Sequence, residues 1–346
     1  MERMDFYRTD LVIEHEEMVK HATEEEKDTL EETSGVQFHE EREGPFHITE
    51  VLIDEEGASR IGKKEGRYVT LAAPTLQVYE HEQLQQFMAL LKRQLQNVFA
   101  QHRVAKEDRF LFIGLGNREV TPDAIGPMAM DELKEVIPEY YDESGSDVIV
   151  YAPGVTIQTG LETAHFVQAI AEEVSPDAII IIDALAARDS NRLCKTIQLT
   201  DTGIHPGSGV GNARKELSKE TLGIPVIAIG IPTVVDGPVL VADAIDTLFR
   251  YMSSQIHEAT NPSSALSVAP WLRNEPSIDS EVLKPIFGDW AEWPHDDRMA
   301  LLEEALRSKQ LATFIAPKEI DAWVQQYAHL LAKTLREWLS EVKNLQ

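Results

Sequence analysis

Two aspartates in the middle of the chain, Asp123 and Asp183, have the residue type and the spacing to do chemistry. Asp123 lies in Val120-Thr-Pro-Asp-Ala-Ile-Gly-Pro127, which follows Leu111-Phe-Ile-Gly-Leu-Gly-Asn117. Asp183 closes the run Ala178-Ile-Ile-Ile-Ile-Asp183, ahead of Ala184-Leu-Ala-Ala-Arg188. Each stands at or just past the end of an apolar, buried-type strand. In open α/β sheets the crevice beyond the carboxyl ends of the strands is where ligands bind. Two carboxylates converging there can share one proton, because like charges at close range split their proton affinities. One then acts as base toward water while the other, protonated, polarises a carbonyl. That chemistry hydrolyses a peptide bond with neither a metal nor a covalent intermediate. The same residues also suit capping: Asp123 for the helix after Pro122, Asp183 for a loop after its strand. From spacing alone, capping is the plainer use.

Other candidates are weaker. Asp201-Thr-Gly-Ile-His205-Pro-Gly-Ser-Gly-Val-Gly-Asn212 offers backbone N–H groups that could cradle an anion or a carbonyl oxygen. It lacks the Gly-Lys-Ser/Thr of a P-loop, and its glycines at 207, 209 and 211 do not fit a dinucleotide fingerprint. Gly114-Leu-Gly116 fails the same test, with Glu119 where a third glycine would sit. His205 could join Asp123 and Asp183 around a metal, but a lone histidine in a Gly-Pro turn is more simply a hydrogen-bonded loop residue. Asp201, Asp236 and Asp243 have the same standing. Arg188 could pair with a carboxylate or pack beside Asp189. Pro206-Gly-Ser208-Gly is no nucleophile elbow. Cys194, the sole cysteine, excludes an internal disulfide and reads as a small buried apolar residue.

The elements that would position these residues follow from pattern. Phe110–Gly114, Asp147–Ala152, Ala178–Ile182, Thr196–Leu199 and Pro225–Ile231 read as strands. The run Ala178–Ile182, β-branched and without alternation, suits a strand buried on both faces. Helices are expected at 80–100, 123–136, 163–174, 216–222, 239–253, 298–309 and 317–342. Strand and helix alternate, which indicates an α/β fold with a mainly parallel sheet flanked by helices. Before it, Phe46–Ile53 and Arg67–Leu71 predict a small, antiparallel β-rich addition. Residues 254–296, rich in Ser, Pro, Asn and Trp, read as a long ordered loop or linker.

Length and charge narrow the class. A chain of 346 residues suits one large α/β domain with additions, or two domains. The formal net charge of −27 argues against a nucleic-acid or anionic-membrane surface. Residues 1–60 carry 19 acidic and 6 basic residues, a net of −13, and 14–32 read as a solvated helix or a disordered stretch. No run approaches a signal peptide or a spanning helix, so the chain reads as soluble and intracellular. Arg8-Thr-Asp10-Leu-Val-Ile13 sets an acidic residue before an apolar triplet in a mobile terminus, a common place for clipping.

Taken together, Gly114–Asn117 with Val120–Pro127, Pro153-Gly-Val155 with Thr159–Thr163, Ile182–Arg188, Asp201–Asn212 and Arg214–Asp236 resemble the germination proteases of endospore-forming bacteria, atypical aspartic endopeptidases. Fainter agreement extends to Arg8–Leu11, Ile61–Leu71 and Ala316–Asp321. The resemblance implies an α/β core similar to that of the hydrogenase-maturation peptidases. It also implies cleavage of small acid-soluble spore proteins during germination, in the cytoplasm of the forespore or spore core. It puts the catalytic pair at Asp123 and Asp183, with Asn117, Arg188 and His205 as supporting candidates. It implies a self-processing zymogen cut between Asp10 and Leu11, a homotetramer, and no metal or other cofactor. Residues 1–10 would then be a propeptide-like segment and 11–345 one peptidase domain, its catalytic core at about 105–253 and a C-terminal helical region at 297–343. Two rivals remain: a metal-dependent hydrogenase-maturation-like peptidase using Asp123, Asp183 and His205, and a non-catalytic protein binding a small anion at 203–212.

Overall fold

The structure, a computed structural model, describes residues 9–14, 35–74, 76, 81–100, 105, 108–137, 141–142, 145–155, 162–206, 215–260, 279–308 and 314–343. The chain forms two compact units, one drawn from Arg8–Val234 and Ala316–Gln346, the other from Val235–Ile315.

The first unit opens with β1 (Val36–Glu43), β2 (Phe46–Ile53), α1 (Glu55–Ile61), β3 (Gly66–Ala72) and α2 (His81–Phe99). Then come β4 (Phe110–Gly114), a 3-10 turn (Thr121–Asp123), α3 (Ile125–Val136), the short pair β5 (Tyr141–Asp142) and β6 (Gly145–Ser146), β7 (Val148–Tyr151) and α4 (Thr163–Val174). It continues through β8 (Ala178–Ala187), β9 (Thr196–Thr200), α5 (Lys219–Leu222) and β10 (Val226–Asp236). The second unit holds α6 (Gly237–Thr260), α7 (Ser280–Phe287), α8 (His295–Ser308) and β11 (Phe314–Ile315), and α9 (Ile320–Val342) returns to the first.

The main strands lie in the order β1-β2-β3-β9-β10-β8-β4-β7. Parallel pairing joins β4 to β7 and to β8, whereas β1, β2, β3, β9 and β10 pair antiparallel in turn. The expected small β-rich addition is therefore not a separate sheet. It extends the main one through β3 and β9, from Tyr68 opposite Thr200 to Ala72 opposite Thr196, and the sheet is mixed rather than mainly parallel. The cause is that both faces of these strands are apolar. Phe46, Ile48, Val69 and Leu71 join the main core, while Val36, Val51, Ile53 and Tyr68 cluster with Val12 on the other side.

The central strands obey a two-residue period. Phe110, Phe112, Ile180 and Ile182 face the core beneath α2, α3 and α9, with Leu91, Met130, Tyr327 and Trp338. Leu111, Ile113, Ile179 and Ile181 face α4, against Ala164, Val167 and Ala171. Every residue of β4 is buried, as are nine of the ten in β8. Each large apolar side chain so placed contributes about 1.5–3 kcal/mol.

In the second unit, the stretch expected as a loop or linker holds regular structure on both sides of 261–278, which lie outside the described residues. Asp279 caps α7 by accepting the Val282 N–H, and Leu283, Phe287 and Trp290 pack around Phe249. Arg298 pairs there with Asp246 at 2.7 Å.

Candidate active site

The site is built where β4 ends. Leu115 continues the ladder by donating its N–H to the Ile182 carbonyl at 2.8 Å. Gly116 then takes a φ of +121°, which favours glycine. A Cβ at Gly116 would collide with the carbonyl oxygen of Asp123. Asn117 turns the chain, its side-chain oxygen accepting the Glu119 N–H at 3.0 Å, and Pro122 sets up the 3-10 turn. The turn brings the Asp123 carboxylate back, where it accepts the Asn117 backbone N–H at 2.7 Å. Asp123 is not the cap of α3: that position is Ala124, without a side-chain cap bond. Gly126 lets α3 start hard against the strands, since a Cβ there would meet the Leu115 and Ile182 carbonyls.

Asp183 stands on the neighbouring strand, one step beyond the pair formed by Gly114 and Ile182. It does not end its strand, which runs on to Ala187, so the loop-capping alternative falls. The 3-10 turn that carries Asp123 packs against this strand. Asp183 is 6 % exposed and accepts the Ala184 N–H at 2.9 Å. Alternate residues of a strand turn their N–H and C=O to the same edge. Ile182 faces β4, so Ala184 and Ala186 face the edge that β4 leaves open past Gly114. Ala184 is served by Asp183. Ala186 is served by the N-terminal segment: its N–H donates to the Asp10 carboxylate at 2.8 Å, and its carbonyl accepts the Asp10 N–H at 2.9 Å. Asp10 thus docks at Ala186, two residues and about 7 Å along the strand from the Ala184 N–H that Asp183 serves.

The described part of that terminus is packed into the fold. Leu11 is fully buried, as in effect are Val12 and Glu14. Gln198 of β9 clamps the backbone on both sides of the Asp10–Leu11 bond: its Nε2 donates to the Asp10 carbonyl at 3.3 Å and its Oε1 accepts the Val12 N–H at 2.8 Å. Lys63 Nζ donates to the carbonyls of Thr9 and Asp10, each at 3.3 Å. Burial holds its ammonium below the ordinary lysine range, against the pull of Asp10 and Glu14. Glu14 accepts the N–H groups of Arg188 and Asp189 at 2.8 and 2.9 Å and the hydroxyl of Thr9, with Arg192 at 3.5 Å. Desolvation nonetheless outweighs these bonds and lifts its carboxyl above the ordinary 4.5.

The remaining sequence candidates divide. Arg188 meets the terminus through its backbone. His205 is exposed and faces Glu216 at 3.6 Å, and no group of three potential metal ligands stands together among the described residues, so His205 does not join the aspartates. The glycine run at 207–211 lies outside the described residues. Asp201 accepts the Arg67 N–H at 2.9 Å, a strand-end role. Cys194 is buried as expected. Sequence reasoning missed Lys63, Gln198 and Glu14. Only Glu14 left a trace, as a carboxylate at the foot of the apolar triplet Leu11–Ile13.

A family model described as germination protease matches residues 12–345. The germination protease of a Geobacillus species (strain WCH70) is 38% identical over 348 residues, covering 96% of this chain and 94% of its own. Those of Oceanobacillus iheyensis and Bacillus thuringiensis are each 38% identical, with 96% and 95% of this chain and 94% and 92% of theirs covered. Among solved structures, a NiFe hydrogenase maturation protease, HycI of Thermococcus kodakarensis, aligns at 22% identity over 40% of this chain and 80% of that one, with a TM-score of 0.29.

Proposed function

Because the chain belongs to the germination protease family, we propose that it is an endopeptidase that degrades small acid-soluble spore proteins during germination and is made as a self-processing zymogen. The observation that carries this reading is the shared edge of β8, where Asp183 and Asp10 occupy successive open positions. Asp123, on the 3-10 turn that packs against β8, is the second carboxylate of this reading. Extended peptides bind by adding to an open strand edge, and a substrate laid along the edge that Asp10 occupies would bring its backbone past both aspartates.

In this mechanism Asp123, the more exposed carboxylate, takes a proton from water. Asp183, buried, holds the shared proton, since an uncharged carboxyl costs less to bury. It hydrogen-bonds the substrate carbonyl and later supplies the leaving amine. No cofactor enters these steps. The hydrogenase-maturation-like metal reading has less support, because His205 lies apart from the pair.

The site of processing is the bond between Asp10 and Leu11, held by Gln198 and Lys63. Subunit contacts of a homotetramer suit the exposed Leu248, Tyr251, Ile286 and Trp293 of the second unit. The net charge of −27 favours meeting the substrate as protein rather than on DNA, in the cytoplasm of the forespore or spore core. The test is incubation with a small acid-soluble spore protein, with mass spectrometry on enzyme and substrate. Discrete substrate fragments and a new N-terminus at Leu11 are expected from the wild type. Neither is expected from Asp123→Asn or Asp183→Asn, and unchanged cleavage by either variant removes the mechanism.

A further inference from the structure

We infer that Glu14 is a binding site for the α-ammonium group created at Leu11 when the Asp10–Leu11 bond is cut. This rests on the processing proposed above. Hydrolysis adds the oxygen of water to the Asp10 carbonyl carbon and a proton to the Leu11 nitrogen. At neutral pH the products are a carboxylate on Asp10 and an ammonium on Leu11. Residues up to Asp10 depart with their new carboxylate, and a positive charge is left where the precursor had a neutral amide.

The surroundings specify its partner. In the precursor the Leu11 N–H donates to the Thr9 hydroxyl oxygen at 3.1 Å, and that hydroxyl donates in turn to the Glu14 carboxylate. One atom therefore bridges the nitrogen and the carboxylate, and it leaves with the propeptide. Residues 12–14 form a helical turn, which makes Leu11 its N-cap and Glu14 its third residue. An acidic side chain at that position reaches back to the N-cap nitrogen in a capping box. The Thr9 hydroxyl occupies that line in the precursor. Leu11 is held by its buried side chain, and Val12 by Gln198, so the nitrogen stays near Glu14 after the cut.

The carboxylate stands ready in another sense. Two backbone N–H groups fix it, and its charge is poorly solvated. A cation within reach relieves that cost. Arg192 lies on its other oxygen. Lys63 loses both of its acceptors at cleavage, but burial disfavours its charge, whereas the Leu11 nitrogen is held near Glu14 by its own buried side chain. Glu14 in turn holds Arg188 and Asp189, the residues directly after β8. The new terminus would therefore brace the strand that carries Asp183.

The experiment follows the N-terminus of the full chain after it has clipped itself. Intact mass identifies the species that begins at Leu11, and acetic anhydride then measures the reactivity of its α-amine across pH. An unpaired α-amine titrates at about 7.7–8.0. Pairing with Glu14 is expected to raise that midpoint by about one unit, so that acetylation at pH 7.5 runs about sevenfold slower than on the free peptide Leu-Val-Ile-Glu. Glu14→Gln is expected to restore the peptide's rate. A wild-type midpoint no higher than the peptide's overturns the inference without need of the variant, and so does a Glu14→Gln chain as slow as wild type. A chain that never clips refutes the processing reading and the inference with it, whereas clipping with an ordinary amine refutes the inference alone.

Discussion

The carboxylates of Asp183 and Asp10 accept hydrogen bonds from Ala184 and Ala186, consecutive N–H groups on the edge of β8 beyond the end of β4. One residue belongs to the core of the fold and the other to its terminus, and the same strand edge sets them both. The bond that follows Asp10 is therefore placed by backbone pairing as well as by side chains.

The aspartates should be separable from the fold. An asparagine at 123 keeps an oxygen to accept the Asn117 N–H, so Asp123→Asn is expected to melt within a few degrees of wild type. Its kcat/KM on a spore-protein substrate is expected to fall about 100-fold or more, the scale of lost general acid–base catalysis. Asp183→Asn should behave alike. Kinetics on one of the small acid-soluble proteins, with calorimetry alongside, checks both halves.

Gly116→Ala should damage stability and activity together. A side chain at a φ of +121° is strained by about 1–3 kcal/mol, and the added methyl displaces the Asp123 carbonyl. A catalytic group moved by about 1 Å can cost a factor on the order of 100. Urea melts and kcat/KM give the two readouts. A destabilised enzyme with wild-type kcat would uncouple this turn from the aspartate.

Cys194 should be silent toward thiol reagents. Burial pushes its thiol up to about 12, and Tyr327 donates to its carbonyl at 2.9 Å, sealing the turn. Maleimide at pH 8 is expected to label the chain only as it unfolds, at a rate that follows the denaturant curve. The folded state holds this proton more tightly than the unfolded one, so the contribution to stability is full below the unfolded thiol's range. It is lost as pH rises from about 9 toward 12.

Lys64 should tune Glu220 at the start of α5. Its ammonium, 2.7 Å away, draws the Glu220 carboxyl down to about 2 from 4.5. A folded value below the unfolded one means that the pairing stabilises above pH 4.5 and fades as pH falls through about 2. The pair is exposed, so the gain is small and salt weakens it. Carboxyl NMR titration of Lys64→Met is expected to return Glu220 toward 4.5; an unmoved titration would assign the shift to Ser218 and the helix terminus instead.

Local pattern carried the sequence reading as far as neighbours in the chain decide structure. The isoleucines of Ala178–Ile182 form a strand covered on both faces, and α4 spans Thr163–Val174 as its periodicity requires. Pairing between distant strands is different. Nothing in Arg67–Leu71 names β9 as its partner, which is why the N-terminal strands read as a separate addition. Asp123 looked like a helix cap because Thr-Pro-Asp before an apolar run is a capping pattern. Gly116 and Asn117 redirected it, through a backbone bond that sequence spacing does not encode. Glu14 was lost among the acidic residues of the terminus, since its acceptors' donors lie 174 and 175 residues away.

The edge of β8 past Gly114 is a single berth, and Asp10 fills it. A tethered occupant competes at an effective concentration on the order of millimolar, whatever the affinity of the contact itself. Any free peptide seeking the same N–H and carbonyl of Ala186 must outbid a rival that never diffuses away. Severing the tether changes no bond on the berth, yet it lets the displaced residues be lost by dilution. With the cut proposed above, vacancy at the site would be governed by covalent connectivity, and mass action would not undo it.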